Sequence, residues 1–532
     1  MTKRQAQCLL LPVIFFGLIL DVIVSAQKTG TRPQAASSKD AAPTLSTKRP
    51  PEILNLITVV QAAPPEFAAD MLITIADSSK VPDTAWKKEL LREAFKVAAD
   101  CQYRIPQRDV GPYRMDTRAT FLAEAFGLKL DTLSLRCRAI RSMLQLDKPL
   151  ARQMFNEIEK FRFPALSCGD GLVYRLSDYY STAGELIEEA FSPEELKAGE
   201  HMRLLESLIE NISSPLQIGP AANLIRSLHS LRASRDQRES LVAALASKLS
   251  KVSGDDRSFS QSISNSMSSV GYEVWRLLDS CRQYRISTTE LIKELRSYYV
   301  RHFSASRCSD TFRNDDDTGP LPREVAEFNS RLRALGEKEI SEIEGDEVRP
   351  SKVEGKVDAQ VIAESDESRR LGKEFKRLLY GPGTIPLTAA EMENPEWRQS
   401  LREFLIRLSD WRGPNGESPE DYYYQKCNLI EGLLITLHVG GLERDEVIRQ
   451  FVILLSGFDA KNLSRIEWFC YVKELLFPQS FSESGGESGE KVRALLESSN
   501  NTVLSAYGQL WKTLSSPTPL KVKTHRPPDT KP

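Results

Sequence analysis

The chain has 532 residues, with 71 Lys and Arg against 73 Asp and Glu, 41% apolar residues and 27% charged ones. A formal charge of −2 excludes a protein that holds nucleic acid by bulk positive charge, and long apolar periodic stretches exclude an acidic, mostly disordered chain. The length exceeds what a single hydrophobic core serves, so more than one structural unit is expected.

Lys3 and Arg4 precede thirteen uncharged, almost wholly apolar residues, Cys8 to Leu20, and Val24-Ser25-Ala26 follows. A short positive stretch, an apolar run and small residues at the −3 and −1 positions form the three-part pattern of a secretory signal peptide, with cleavage expected after Ala26. The run falls short of the roughly 20 residues a bilayer span needs, so an uncleaved anchor is the less favoured alternative. Cleavage removes Lys3, Arg4 and Asp21, leaving 69 basic against 72 acidic residues, a charge of −3. The expected location is secreted or periplasmic. No later stretch approaches spanning length, so no transmembrane span is expected after cleavage.

Residues 27–50 are polar and aperiodic and read as a disordered linker. From Pro51 the pattern becomes serial amphipathic helices. Trp86, Leu90, Ala94 and Val97 form one stripe, widened by Leu91, Phe95 and Ala98, and Leu133, Cys137, Ile140 and Leu144 form another. Asp147-Lys148-Pro149 ends one helix and caps the next, whose apolar face is Leu150, Met154, Phe155 and Ile158. Capping boxes, in which a hydroxyl and a Glu three residues on each satisfy an orphan amide, are expected at Ser192 with Glu195, Ser287 with Glu290, and Thr388 with Glu391. Ser418-Pro419-Glu420-Asp421 marks a further helix start. The best strand candidate, Ala359 to Ala363, is one short alternation.

The expected fold is therefore all-α: an irregular array of helical hairpins, α-solenoid-like, in two lobes spanning residues 51–312 and 369–514. Residues 313–368 between them read as a charged linker holding one helix, Leu321 to Leu335, and residues 515–532 as a basic, Pro-rich disordered tail. No fixed repeat period is present.

Most of the motifs that would mark a reactive or metal-binding site are missing from the sequence. Five histidines, His201, His229, His302, His438 and His525, lack the three-to-five-residue spacing of paired helical metal ligands. Asp315 to Asp317 lacks the spaced acids and closing Glu of a calcium loop. The seven cysteines beyond Cys8 are isolated, and Ser488 with Lys491 matches S-x-x-K only in spacing. Neither a nucleotide-binding glycine motif nor a G-x-S-x-G elbow occurs, and no cofactor or metal is expected. The candidate partner contacts are Trp411, Tyr422, Tyr423 and Tyr424, because consecutive aromatics on a helix cannot all face one core and rigid rings make good anchors. Tyr179-Tyr180 and Tyr298-Tyr299 carry the same ambiguity at shorter length.

The expected function is a non-catalytic, exported helical scaffold that binds a protein or peptide partner and not nucleic acid, with a weak envelope contact through Lys521, Lys523, Arg526 and Lys531. The alternative is a helical enzyme acting on cell-envelope polymers through an acidic residue without a local motif. Its mark would be a Glu of raised pKa among aromatics in an inter-lobe groove.

Overall fold

The structure is a computed structural model that describes residues 49–101, 127–158, 176–227, 233–252, 270–304, 307–308, 323–341, 348–349, 366–383, 386–412, 419–437, 442–458, 465–476 and 487–515. The expected signal peptide, Asp315 to Asp317, Ala359 to Ala363 and the basic tail lie outside those residues, as does Ser418. Within them, 21 helices and one short 3-10 turn make an all-α fold. The exception to helix is a two-residue parallel pairing, Arg307–Cys308 with Val348–Arg349, in which Arg307 faces Val348.

The first lobe holds α1 (Pro51–Gln61), α2 (Pro65–Asp77), α3 (Thr84–Ala99), α4 (Thr132–Leu144), α5 (Lys148–Asn156), α6 (Leu176–Glu189), α7 (Pro193–Lys197), α8 (Glu200–Glu210), α9 (Ile218–Ser227), α10 (Arg235–Lys251), α11 (Val270–Gln283) and α12 (Thr289–Ser304). They stack as hairpins in two layers. In one layer α2, α4, α6, α9 and α11 each pack on the next; α3, α5, α8, α10 and α12 supply the second arms. Packing follows from the amphipathic faces. In α3 the residues Trp86, Leu90, Leu91, Ala94, Phe95 and Ala98 are buried as the spacing predicts, while Val97 is half-buried at the stripe's edge.

Local start signals set the register. The Asp147 carboxylate accepts from the Leu150 amide at 3.0 Å and Pro149 sits in the first turn of α5. Ser192 and Glu195 form the reciprocal box at α7, with bonds of 3.2 and 2.8 Å. Thr388 and Glu391 do the same for a later helix. The Ser287 start is shifted by one residue: α12 begins at Thr289, and Glu290 turns to Lys293 at 2.8 Å.

The segment between the lobes carries α13 (Arg323–Ala334). It docks on the last hairpin of the first lobe, with the Phe328 ring 5.3 Å from Trp275 and stacked 4.2 Å from Tyr299. The buried Asn329 amide then clamps the following turn, donating to the Ile340 carbonyl and accepting from its amide, both at 2.7 Å.

The second lobe holds α14 (Asp366–Tyr380), α15 (Ala389–Met392), α16 (Pro395–Asp410), α17 (Pro419–Thr436), α18 (Leu442–Ser456), α19 (Arg465–Leu476), α20 (Glu487–Glu497) and α21 (Thr502–Ser515). Here α14, α17 and α19 form one layer and α16, α18 and α20 the other. The last helix, α21, packs on both α1 and α2, so the end of the second lobe meets the beginning of the first. One continuous core therefore runs from Ile53 to Leu510.

Candidate functional site

The outer layer of the second lobe carries a groove of about 660 Å³, within the range of ligand sites. Three parallel helices build it. Asn394 caps α16 by accepting from the Glu396 amide at 2.9 Å, with Pro395 in the first turn. The buried Arg444 at the start of α18 donates to the Leu437 carbonyl at 3.0 Å and to that of Leu434, fixing the corner between α17 and α18. Near their N-termini the helices are tied in a row: Arg398 of α16 to Glu443 of α18 at 2.5 Å, and Lys491 of α20 to Asp445 of α18 at 2.9 Å.

The other ends of α16 and α18 meet a single stretch of α17. Tyr423 donates to the Leu454 carbonyl at 3.2 Å, and Lys426 donates to the Ser409 carbonyl at 2.8 Å. With one end joined by ion pairs and the other by that stretch, α16 and α18 lie side by side in the same direction.

Leu401, Ile448, Val492, Ala494 and Leu495 give the groove an apolar floor, and charged side chains form its rim. Glu446 is paired with Arg449 at 2.6 Å, so Glu443, Asp445 and Glu446 each hold a base. Arg402, on the same wall, is exposed and has no partner among the described residues. One helical turn beyond Arg402 and Arg449, on the same faces, stand Ile406 and Ile453, at 61% and 57% exposure.

The aromatic candidates sit behind this surface. Trp411, directly after α16, and Tyr423 are both buried. Burial holds the Tyr423 hydroxyl well above the usual phenol range, and its contact is the Leu454 carbonyl. The side chains of Tyr422 and Tyr424 lie outside what the structure describes. The shorter aromatic pairs pack inward too: Tyr179 stacks on Phe155 at 4.7 Å, and Tyr180, Tyr298 and Tyr299 are buried. Lys426, one turn from Tyr423, is drawn down to about 8, first by burial and then by the Arg412 charge beside it.

A second concentration of titratable groups lies where the two lobes meet. Phe67 of α2 packs against Trp468 and Phe469 of α19 and Tyr507 of α21, with centroids 6.3, 4.8 and 6.4 Å away. Beside it Glu66, fully buried, faces the Arg465 guanidinium at 3.0 Å. Burial lifts the Glu66 carboxyl above its ordinary 4.5, and Arg465 only partly offsets this. Asp70, one turn on, accepts from Tyr507 at 2.5 Å and from Arg138 of α4 at 2.6 Å. The nearby Cys101 thiol is pushed up to about 12 by burial and then by the Glu66 charge. This is the raised-pKa glutamate among aromatics that a polymer-acting enzyme would need. Its carboxylate is sealed from solvent, however, so no substrate reaches it in this conformation.

The remaining sequence candidates are dispersed. His201 is buried against Phe191 at 6.2 Å, and burial lowers its pKa. Ser488 and Lys491 lie in α20, where Lys491 is committed to Asp445. Cys101, Cys137, Cys281, Cys427 and Cys470 are buried. Among the described residues, no three His, Cys, Asp or Glu side chains converge to hold a metal, and no helix is long and apolar enough to cross a membrane. Comparison with protein-family models, curated proteins and solved structures found no match to the chain.

Proposed function

We propose that the protein is an exported helical scaffold, without catalytic chemistry of its own, that holds a protein or peptide partner in the groove across α16, α18 and α20. The observation that carries this reading is a groove with an ion-paired rim and, one helical turn beyond two of its lining arginines, two exposed isoleucines. Exposed aliphatic side chains beside a charged groove mark interaction sites, because covering them with a partner removes apolar area from water without stranding charge. Export rests on Lys3, Arg4, the Cys8 to Leu20 run and the Ala26 boundary.

A photo-crosslinking residue at position 453, compared with one at the exposed Asp236 of α10, tests the reading in cells that make the protein. Specific adducts to a partner from position 453 alone, together with a mature chain that begins at Gln27 outside the cytoplasm, are expected. Equal labelling from both positions removes the groove from the argument, and retention in the cytosol removes export.

A further inference from the structure

We infer that the groove's occupant is an acidic amphipathic peptide segment of a protein partner: aliphatic side chains on the floor and against Ile406 and Ile453, and a carboxylate on Arg402. The inference rests on the groove being the partner site and adds the chemistry of the partner. Charge complementarity supplies the sign. Each described acid on the rim is already held, Glu443 by Arg398, Asp445 by Lys491 and Glu446 by Arg449, whereas Arg402 holds none among the described residues.

A basic segment lying there meets no free carboxylate among the described rim residues and meets the Arg402 charge. An acidic one gains a pair that its own docking would desolvate, which strengthens the attraction. A bare polyanion satisfies Arg402 but leaves Ile406 and Ile453 wet, so the surface selects a peptide with aliphatic side chains. Arg402 and Ile406 are four residues apart on α16, as are Arg449 and Ile453 on α18. The charge and the apolar contacts are thus presented one turn apart on neighbouring helices.

The test is selection of a random peptide library on the full chain, repeated on a chain carrying Ile406→Ser and Ile453→Ser. Both isoleucines are exposed, so the variant keeps the core intact. Peptides enriched on the first chain and lost on the second are expected to carry an excess of Asp and Glu over Lys and Arg beside aliphatic pairs. Arg402→Glu is expected to weaken those acidic peptides by about three- to tenfold and to favour versions with Lys in place of the acid. Groove-dependent peptides with no acidic excess, or with an affinity indifferent to Arg402→Glu, overturn this inference and leave the scaffold reading standing. Recovery of no groove-dependent peptide overturns both.

Discussion

Replacing Arg465 by Met while Glu66 stays in place is expected to destabilise the junction of the lobes in a manner set by pH. Glu66 is fully buried and Arg465 about a quarter exposed, so removal of the guanidinium strands a carboxylate that water cannot reach. The folded chain then escapes most cheaply by binding a proton. Holding the carboxyl neutral costs about 1.4 kcal/mol for each pH unit above the ordinary value of 4.5. The electrostatic loss is therefore capped at about 3.4 kcal/mol at pH 7 and about 0.8 kcal/mol at pH 5.

Glu66→Gln should behave oppositely. Because burial already raises the Glu66 pKa, the stabilising contribution of this group is fully present below its unfolded value and lost as pH rises through the folded one. The amide removes that loss and leaves Arg465 able to reach solvent, so this variant is nearly neutral at pH 5 and no worse at pH 7. Urea unfolding of both variants and the parent at pH 5 and 7 gives the differences. Hydrogen exchange in peptides from α2 and α21 locates them at the junction. An Arg465→Met loss that is equal at the two pH values, or a Glu66→Gln loss that exceeds it at pH 7, refutes the reasoning.

Gly508→Ala should part α20 from α21, because the added methyl would stand 2.6 Å from the Glu497 amide nitrogen and 3.0 Å from its Cα, and backbone cannot swing aside. A loss of about 1–3 kcal/mol in denaturant unfolding is expected, and a variant as stable as the parent would show that the helices do not meet there. Asn329→Ala removes both bonds to the Ile340 backbone and leaves that buried turn unsatisfied, for an expected loss of about 2–3 kcal/mol with faster amide exchange at residues 335–341.

The hairpin array was legible because helix starts are local. Asp147 with Pro149, or Ser192 with Glu195, places every participating atom within four residues, so the pattern exists in the string before any tertiary contact forms. The shift at Ser287 shows the limit of that logic, since two adjacent hydroxyls, Ser287 and Thr288, offer competing starts and the helix took the second. The meeting of the lobes was not legible. Tyr507 and Asp70 are separated by 437 positions, and neither stripe carries a mark of its partner beyond being apolar. Burying Phe67 against α19 and α21 uses the same residue types as burying it within its own hairpin, so periodicity alone cannot choose between them.

The groove was hidden for a related reason. Consecutive aromatics mark Trp411 and Tyr422 to Tyr424 in the sequence, yet a ring of that size is worth more inside than out, and Trp411 and Tyr423 have gone in. The informative signal was the reverse one, an aliphatic residue where helical spacing calls for a polar side chain. Ile406 follows Arg398 and Arg402 at four-residue steps along α16, and Ile453 follows Arg449 on α18. Each is unremarkable alone, since single exposed apolar residues are common. They acquire meaning only when α16 and α18 run side by side, which depends on Arg398 reaching Glu443 at one end and on Tyr423 and Lys426 reaching both helices at the other. The aromatic and the lysine in α17 thus align the surface from behind, and the two isoleucines present it.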